Sequence, residues 1–138
     1  MSTTAYITDD MLSAFEGLVP ATLASASASG IPNVTYISQV YYVDREHVAL
    51  SRQFFNKTIK NVTENPFACV VVTSPVTPAI FKLKLQFVES QTEGDVYTNM
   101  KLQLDVIAGM QGKSNVFNLQ AADIYKVISI ERIYIFSE

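Results

Sequence analysis

The sequence predicts an α+β fold, an antiparallel barrel of about six strands with two or three flanking helices. Three observations predict it. From Ile80 to Ser90, apolar Phe81, Leu83, Leu85 and Phe87 alternate with polar Lys82, Lys84 and Gln86, the period of a half-buried strand. Several other runs are rich in β-branched and aromatic residues and are bounded by turn residues. Two segments carry apolar residues at helical spacing instead.

Taken in order, Thr8 to Leu18 reads as an opening helix. Thr8 is its expected N-cap, Asp9 and Asp10 suit the first turn, and Met11, Leu12, Phe15 and Leu18 share a face before Gly17 and Pro20 end it. The run ATLASASAS, Gly30 and then PNVTYISQVYYV read as two strands joined by a tight turn. Asp44 to His47 forms the next turn, so VALS is a third strand and FACVVVT a fourth. Ser74-Pro75 and Thr77-Pro78 mark a loop before the alternating strand. Val96, Tyr97, Met100, Leu104 and Ile107 give Glu93 to Met110 a helical stripe, and Gly109, Gln111 and Gly112 open a loop. The tail DIYKVISIERIYIF reads as a last long strand, or one bent by a bulge.

With 138 residues the chain forms one domain. Hydrophobic residues make up 49% and charged residues 17%, with a mean hydropathy of +0.19, which points to apolar surface meeting a partner. A net charge of -3 with no basic run argues against nucleic acid. The start, MSTTAYITDD, lacks a signal peptide's basic and apolar regions, and no apolar run is long enough for a membrane span, so a cytoplasmic location is expected. Cys69 is the only cysteine and His47 the only histidine. That excludes an internal disulfide, argues against thiolate or histidine metal centres, and leaves no catalytic triad. If the chain catalyses a reaction, a cofactor carries the chemistry.

The segment Ser51 to Pro66, SRQFFNKTIKNVTENP, carries the most chemistry. An extended stretch runs into a short helix with Asn56 as expected N-cap, Ile59 and Val62 three apart, and a stop at Asn65-Pro66. Lys57 and Thr58 then fall in the first turn. There, unpaired backbone N–H groups and the positive end of the helix dipole favour an anion, to which an ammonium and a hydroxyl add their own contacts.

The order of these segments, with NKTIKN and ENP in the most specific stretch, resembles the FMN-binding split barrels related to pyridoxamine 5'-phosphate oxidase. The resemblance runs from about Leu18 to the last strand. It implies a six-stranded antiparallel split β-barrel and a homodimer with FMN at the subunit interface. Lys57 and Thr58 fall where the family has a cationic pair on the FMN phosphate. Ser51 and Arg52 match the strand end lining the ribityl chain and phosphate, and Arg52 restores the charge that Thr58 lacks. Thr35, Tyr36, Ile37 and Ser38 match the strand along the isoalloxazine, and Gln86 resembles a glutamine reaching the flavin from the other subunit. The implied function is a flavin-dependent oxidoreductase of unknown substrate. The alternatives are a flavin sensor or storage module without turnover and a haem-handling split barrel, the latter disfavoured by a single histidine. Authentic oxidases of the family carry a further Arg and His segment for the substrate phosphate. The chain stops at RIYIFSE, so poor turnover of pyridoxamine 5'-phosphate is expected.

Overall fold

The computed structural model describes residues 3–16, 19–52, 57–77, 79–110 and 119–133. The expected N-cap Asn56, Leu18 of the opening helix, the loop at Gln111 and Gly112, and the tail beyond Ile133 lie outside them. The strands are β1 (Thr3–Thr4), β2 (Ala21–Ala26), β3 (Pro32–Ile37), β4 (Val40–Asp44), β5 (His47–Arg52), β6 (Phe67–Thr73), β7 (Ile80–Gln91) and β8 (Ala121–Ile133). A 3-10 helix spans Asp9–Phe15, and the α-helices are α1 (Lys57–Glu64) and α2 (Asp95–Met110).

The described strands pair antiparallel in the order β3-β2-β6-β7-β8-β5-β4, with two-residue β1 beside β8. The two edge strands are neighbours in sequence. A flat sheet of this width would hold β3 and β4 roughly 29 Å apart, yet three Cα steps from Ile37 to Val40 reach at most about 11 Å. The sheet must therefore curl until its edges meet, which makes it a barrel with a split between β3 and β4.

Two expectations change. The long second strand is two strands, broken at Ser38 and Gln39, because it must leave one edge of the sheet for the other. The opening helix is a 3-10 helix of seven residues. Met11 N–H donates to the Thr8 carbonyl at 3.0 Å, three residues back. The Thr8 hydroxyl donates to the Asp10 carboxylate and makes no capping bond.

The barrel interior is filled by alternate residues of the strands, among them Leu23, Leu50, Val70, Leu83, Leu85 and Tyr125. Met11 and Phe15 of the 3-10 helix and Val62 of α1 join this core, each burial contributing about 2 kcal/mol. On the outside, α2 sets Met100 and Leu104 against Ala49, Ala122 and Ile124 of β5 and β8. Gly30, with φ of 86°, turns the chain between β2 and β3 in a left-handed conformation suited to glycine. The last strand is bent as the tail's pattern allows. Its register against β7 shifts between Lys84 and Leu85 and between Phe87 and Glu89, leaving Ile128 of β8 and Val88 of β7 as the extra residues.

Candidate functional site

β5 ends at Arg52 and α1 begins at Lys57, so the chain carries two cations into one end of the barrel. Helix α1 is fixed there by its buried side. Val62 enters the core, Ile59 packs against it, and Asn61 Nδ2 donates to Ser25 Oγ of β2 at 3.1 Å. Exposed Lys57 and half-buried Thr58 occupy the first turn, as the sequence predicts. A helix start fixed in this way presents its first-turn N–H groups in a constant direction.

Alternation along β5 separates Ser51 from Arg52. Ser51 pairs with Ala122, beside Ala49 on the α2 side, whereas Arg52 shares the inward face of Leu50. Buried Ser51 and Arg52 therefore do not direct their side chains to the same place.

On the inward face Arg52 meets a residue that sequence reasoning missed. Its Nη2 lies 3.6 Å from Oδ1 of Asp123 on β8, and its Nε is buried without a hydrogen-bond partner among the described residues. Asp123 is 5% exposed, pairs with Leu50 of β5 and Ser90 of β7, and accepts a hydrogen bond from Ser90 Oγ at 2.7 Å. Burial pushes its carboxyl above the ordinary range, against the opposing pull of Ser90 and Arg52. One rung further, burial and the Asp123 charge push the Tyr125 hydroxyl up as well. The usable signal was a lone charge at an inward position of AADIYKV.

The expected ring residues lie elsewhere. Thr35, Tyr36 and Ile37 are on β3, an edge strand whose pairing among the described residues is with β2 alone, leaving backbone N–H and C=O groups on its other side. Tyr36 is 78% exposed, Ile37 packs against the core, and Ser38 stands at the crossing to β4. The next residue, Gln39, is buried and donates from Nε2 to Gln103 Oε1 of α2 at 2.8 Å. Gln86 is exposed on the outer face of β7, opposite Phe67. Along the strands it lies five residues, roughly 17 Å, from the level of Arg52. The structure thus brings Arg52, Lys57 and Thr58 to one barrel end and leaves Tyr36 and Gln86 on the outside.

His47, Arg45 and Cys69 do not join this site. His47 Nδ1 is 2.9 Å from Asp44 Oδ1 in the turn at the opposite end of β5. Arg45, beside it, is taken by Asp9 at 2.5 Å and the Ile7 carbonyl at 2.9 Å. Cys69 is half-buried, and burial pushes its thiol up. Among the described residues no cluster of metal-ligating side chains occurs, and no helix is long and apolar enough to cross a membrane.

Residues 7–126 match the family model described as pyridoxamine 5'-phosphate oxidase. An uncharacterised protein of Methanocaldococcus jannaschii is 36% identical over 62 residues, a match covering 44% of this chain and 41% of that protein. An FMN-binding protein from Syntrophomonas wolfei superposes with a TM-score of 0.72 at 16% identity, over 92% of this chain and 88% of the other. An F420 reductase gives 0.64 at 14% identity, over 91% and 98%. HutZ, a haem storage protein from Vibrio cholerae, gives 0.54 at 15% identity, over 86% of each chain. At these identities the three structures share the fold, whatever ligand each holds.

Proposed function

The chain belongs to the pyridoxamine 5'-phosphate oxidase family, and from that premise we propose that it is a cytoplasmic, homodimeric FMN-binding protein acting as a flavin-dependent oxidoreductase. The observation that carries this reading is the cationic barrel end. Arg52 has a buried Nε without a described partner, and the start of α1 adds Lys57, Thr58 and the backbone N–H groups of a helix first turn. A phosphate group fits that donor set, since a guanidinium edge and a helix N-terminus both prefer an anion with several acceptor oxygens.

In this reading Arg52, Lys57 and Thr58 hold the phosphate and Ser51 contributes its backbone at the strand end. Thr35 to Ser38 offer edge groups to the polar rim of the isoalloxazine. Bound FMN supplies the hydride or electron transfer, while the chain's own residues bind, orient and limit access. In the same reading Gln86, exposed on the outer face of β7, acts on the site of a second copy. The partner surface is the outer face of β3, β2, β6 and β7. Val34, Tyr36 and Phe67 there are 66%, 78% and 56% exposed, over the small residues Thr22 and Ala24 of β2. An exposed apolar sheet face of this kind favours burial against another copy.

The test is the absorbance spectrum of the purified protein, with the released cofactor identified by mass. Flavin bands and the mass of FMN are expected. A protein that neither carries nor takes up FMN on reconstitution refutes the reading. Stopped-flow reduction of the bound flavin by a donor then separates an oxidoreductase from a sensor or storage module without turnover.

A further inference from the structure

As a carboxylate Asp123 offers a phosphate no donor, yet it faces the cation on which the proposed seat depends. A carboxylate beside an arginine either orients it or competes for it, and geometry decides between the two. An orienting carboxylate docks the guanidinium through short, commonly paired hydrogen bonds of about 2.8 Å. Here there is one approach, at 3.6 Å, and Nε makes no bond to Asp123. The carboxylate is steadied instead by Ser90, at 2.7 Å. Other groups facing it are buried Tyr125 on its own strand and Leu50 on β5. Among the described residues, Arg52 is the cation that acts on Asp123. Arg52 is therefore attracted without being docked.

We propose that Asp123 limits the strength of the anion seat: it competes with a ligand phosphate for Arg52. The inference rests on the flavin reading above. A small free anion must draw the guanidinium from a buried carboxylate and then sit near that like charge, which disfavours it. A ligand whose phosphate comes with a ring and its contacts can offset that cost. The seat thereby holds loose phosphate weakly, while a nucleotide-like monoester, which meets the same cost with more contacts, still binds.

The test is Asp123→Asn in the full chain, with any bound flavin removed by dialysis, titrated with FMN, riboflavin and inorganic phosphate. Asparagine keeps the shape and an acceptor for Ser90 and removes the charge. FMN and inorganic phosphate are each expected to bind about tenfold tighter than to the parent. Riboflavin, without a phosphate, should bind as before. In an Arg52→Ala background the same substitution should give a much smaller gain in FMN affinity, because the contested group is gone and only the like charge is removed. If Asp123→Asn does not fold, Asp123→Ser removes the same charge with less volume and is read in the same way. A parent that binds FMN alongside a variant that binds it equally or more weakly overturns this proposal alone, as does an equal gain for riboflavin. A parent that takes up no FMN overturns the flavin reading and this proposal with it.

Discussion

Replacing Arg52 by alanine should destabilise the protein in a way that depends on pH. Asp123 lies 3.6 Å from Arg52 Nη2, with side chains 8% and 23% exposed respectively. At an effective dielectric near 20, that separation corresponds to about 4–5 kcal/mol of attraction. Water entering the space left by the guanidinium returns part of this, so a net loss of roughly 2 kcal/mol is expected. For a chain of this size that lowers the melting temperature by about 6–10 °C near pH 8. Burial already raises the Asp123 carboxyl above its ordinary 3.8, so the folded protein holds this proton more tightly than the unfolded chain. The associated stability is complete below 3.8 and is lost as pH rises through the folded value. Without Arg52 the folded value climbs further. The deficit of Arg52→Ala should therefore be largest near pH 8 and shrink towards about pH 5, and Asp123→Asn in the same chain should remove most of it. Scanning calorimetry of Arg52→Ala, Asp123→Asn, the double variant and the parent at both pH values measures this. An Arg52→Ala protein that melts with the parent near pH 8, or a deficit identical at both pH values, would refute the charge coupling.

Lys57→Ala should weaken FMN about tenfold in a calorimetric titration, with riboflavin affinity unchanged, because the ammonium meets the phosphate alone. Asn61→Ala removes the buried bond to Ser25 at 3.1 Å; the chain should stay folded while FMN binds several-fold more weakly, as the helix start loses its fixed direction. Light scattering should give about twice the 15.3 kDa chain mass, and Val34→Asp on the outer face of β3 should return the protein to monomer. A parent that runs as a monomer while holding FMN would remove the interface from the reading.

The elements legible in the sequence were those whose period is set by burial on one face. Phe81, Leu83 and Leu85 of β7 announce their alternation because one side fills the barrel and the other meets solvent. The cationic helix start was legible because Lys57, Thr58, Ile59 and Val62 belong to one short segment. The break at Ser38 and Gln39 was not, since both flanking runs favour strands and only closure of the sheet demands a crossing there. Asp123 was hidden for a related reason. Its partners Ser90 and Arg52 come from β7 and β5, so their meeting is a matter of register across three strands. The bulge at Val88 contributes: it shifts the β7 register before Ser90 reaches Asp123.

The same closure separates the expected site residues within one chain. Going round the barrel, Arg52 and Asp123 lie on the inward face at the end of β5 and the start of β8, while Tyr36 and Gln86 are carried outside by β3 and β7. Strand alternation prevents one small ligand from touching both sets through a packed wall, whose core residues Leu83 and Leu85 are buried. A ligand with a charged tail and a flat ring resolves this if its tail enters the barrel end and its ring runs along the split at β3. The outer surface of a second copy then supplies Gln86. Gln86→Ala should accordingly alter the visible spectrum of bound FMN while leaving the Lys57 contribution to affinity intact. Mixing it with a chain carrying Lys57→Ala should regenerate one unimpaired site in those dimers that place both changes in the other site. Mixed dimers that show no recovery of affinity or spectrum, despite verified subunit exchange, would mean that Gln86 acts within its own subunit or has no part in the site.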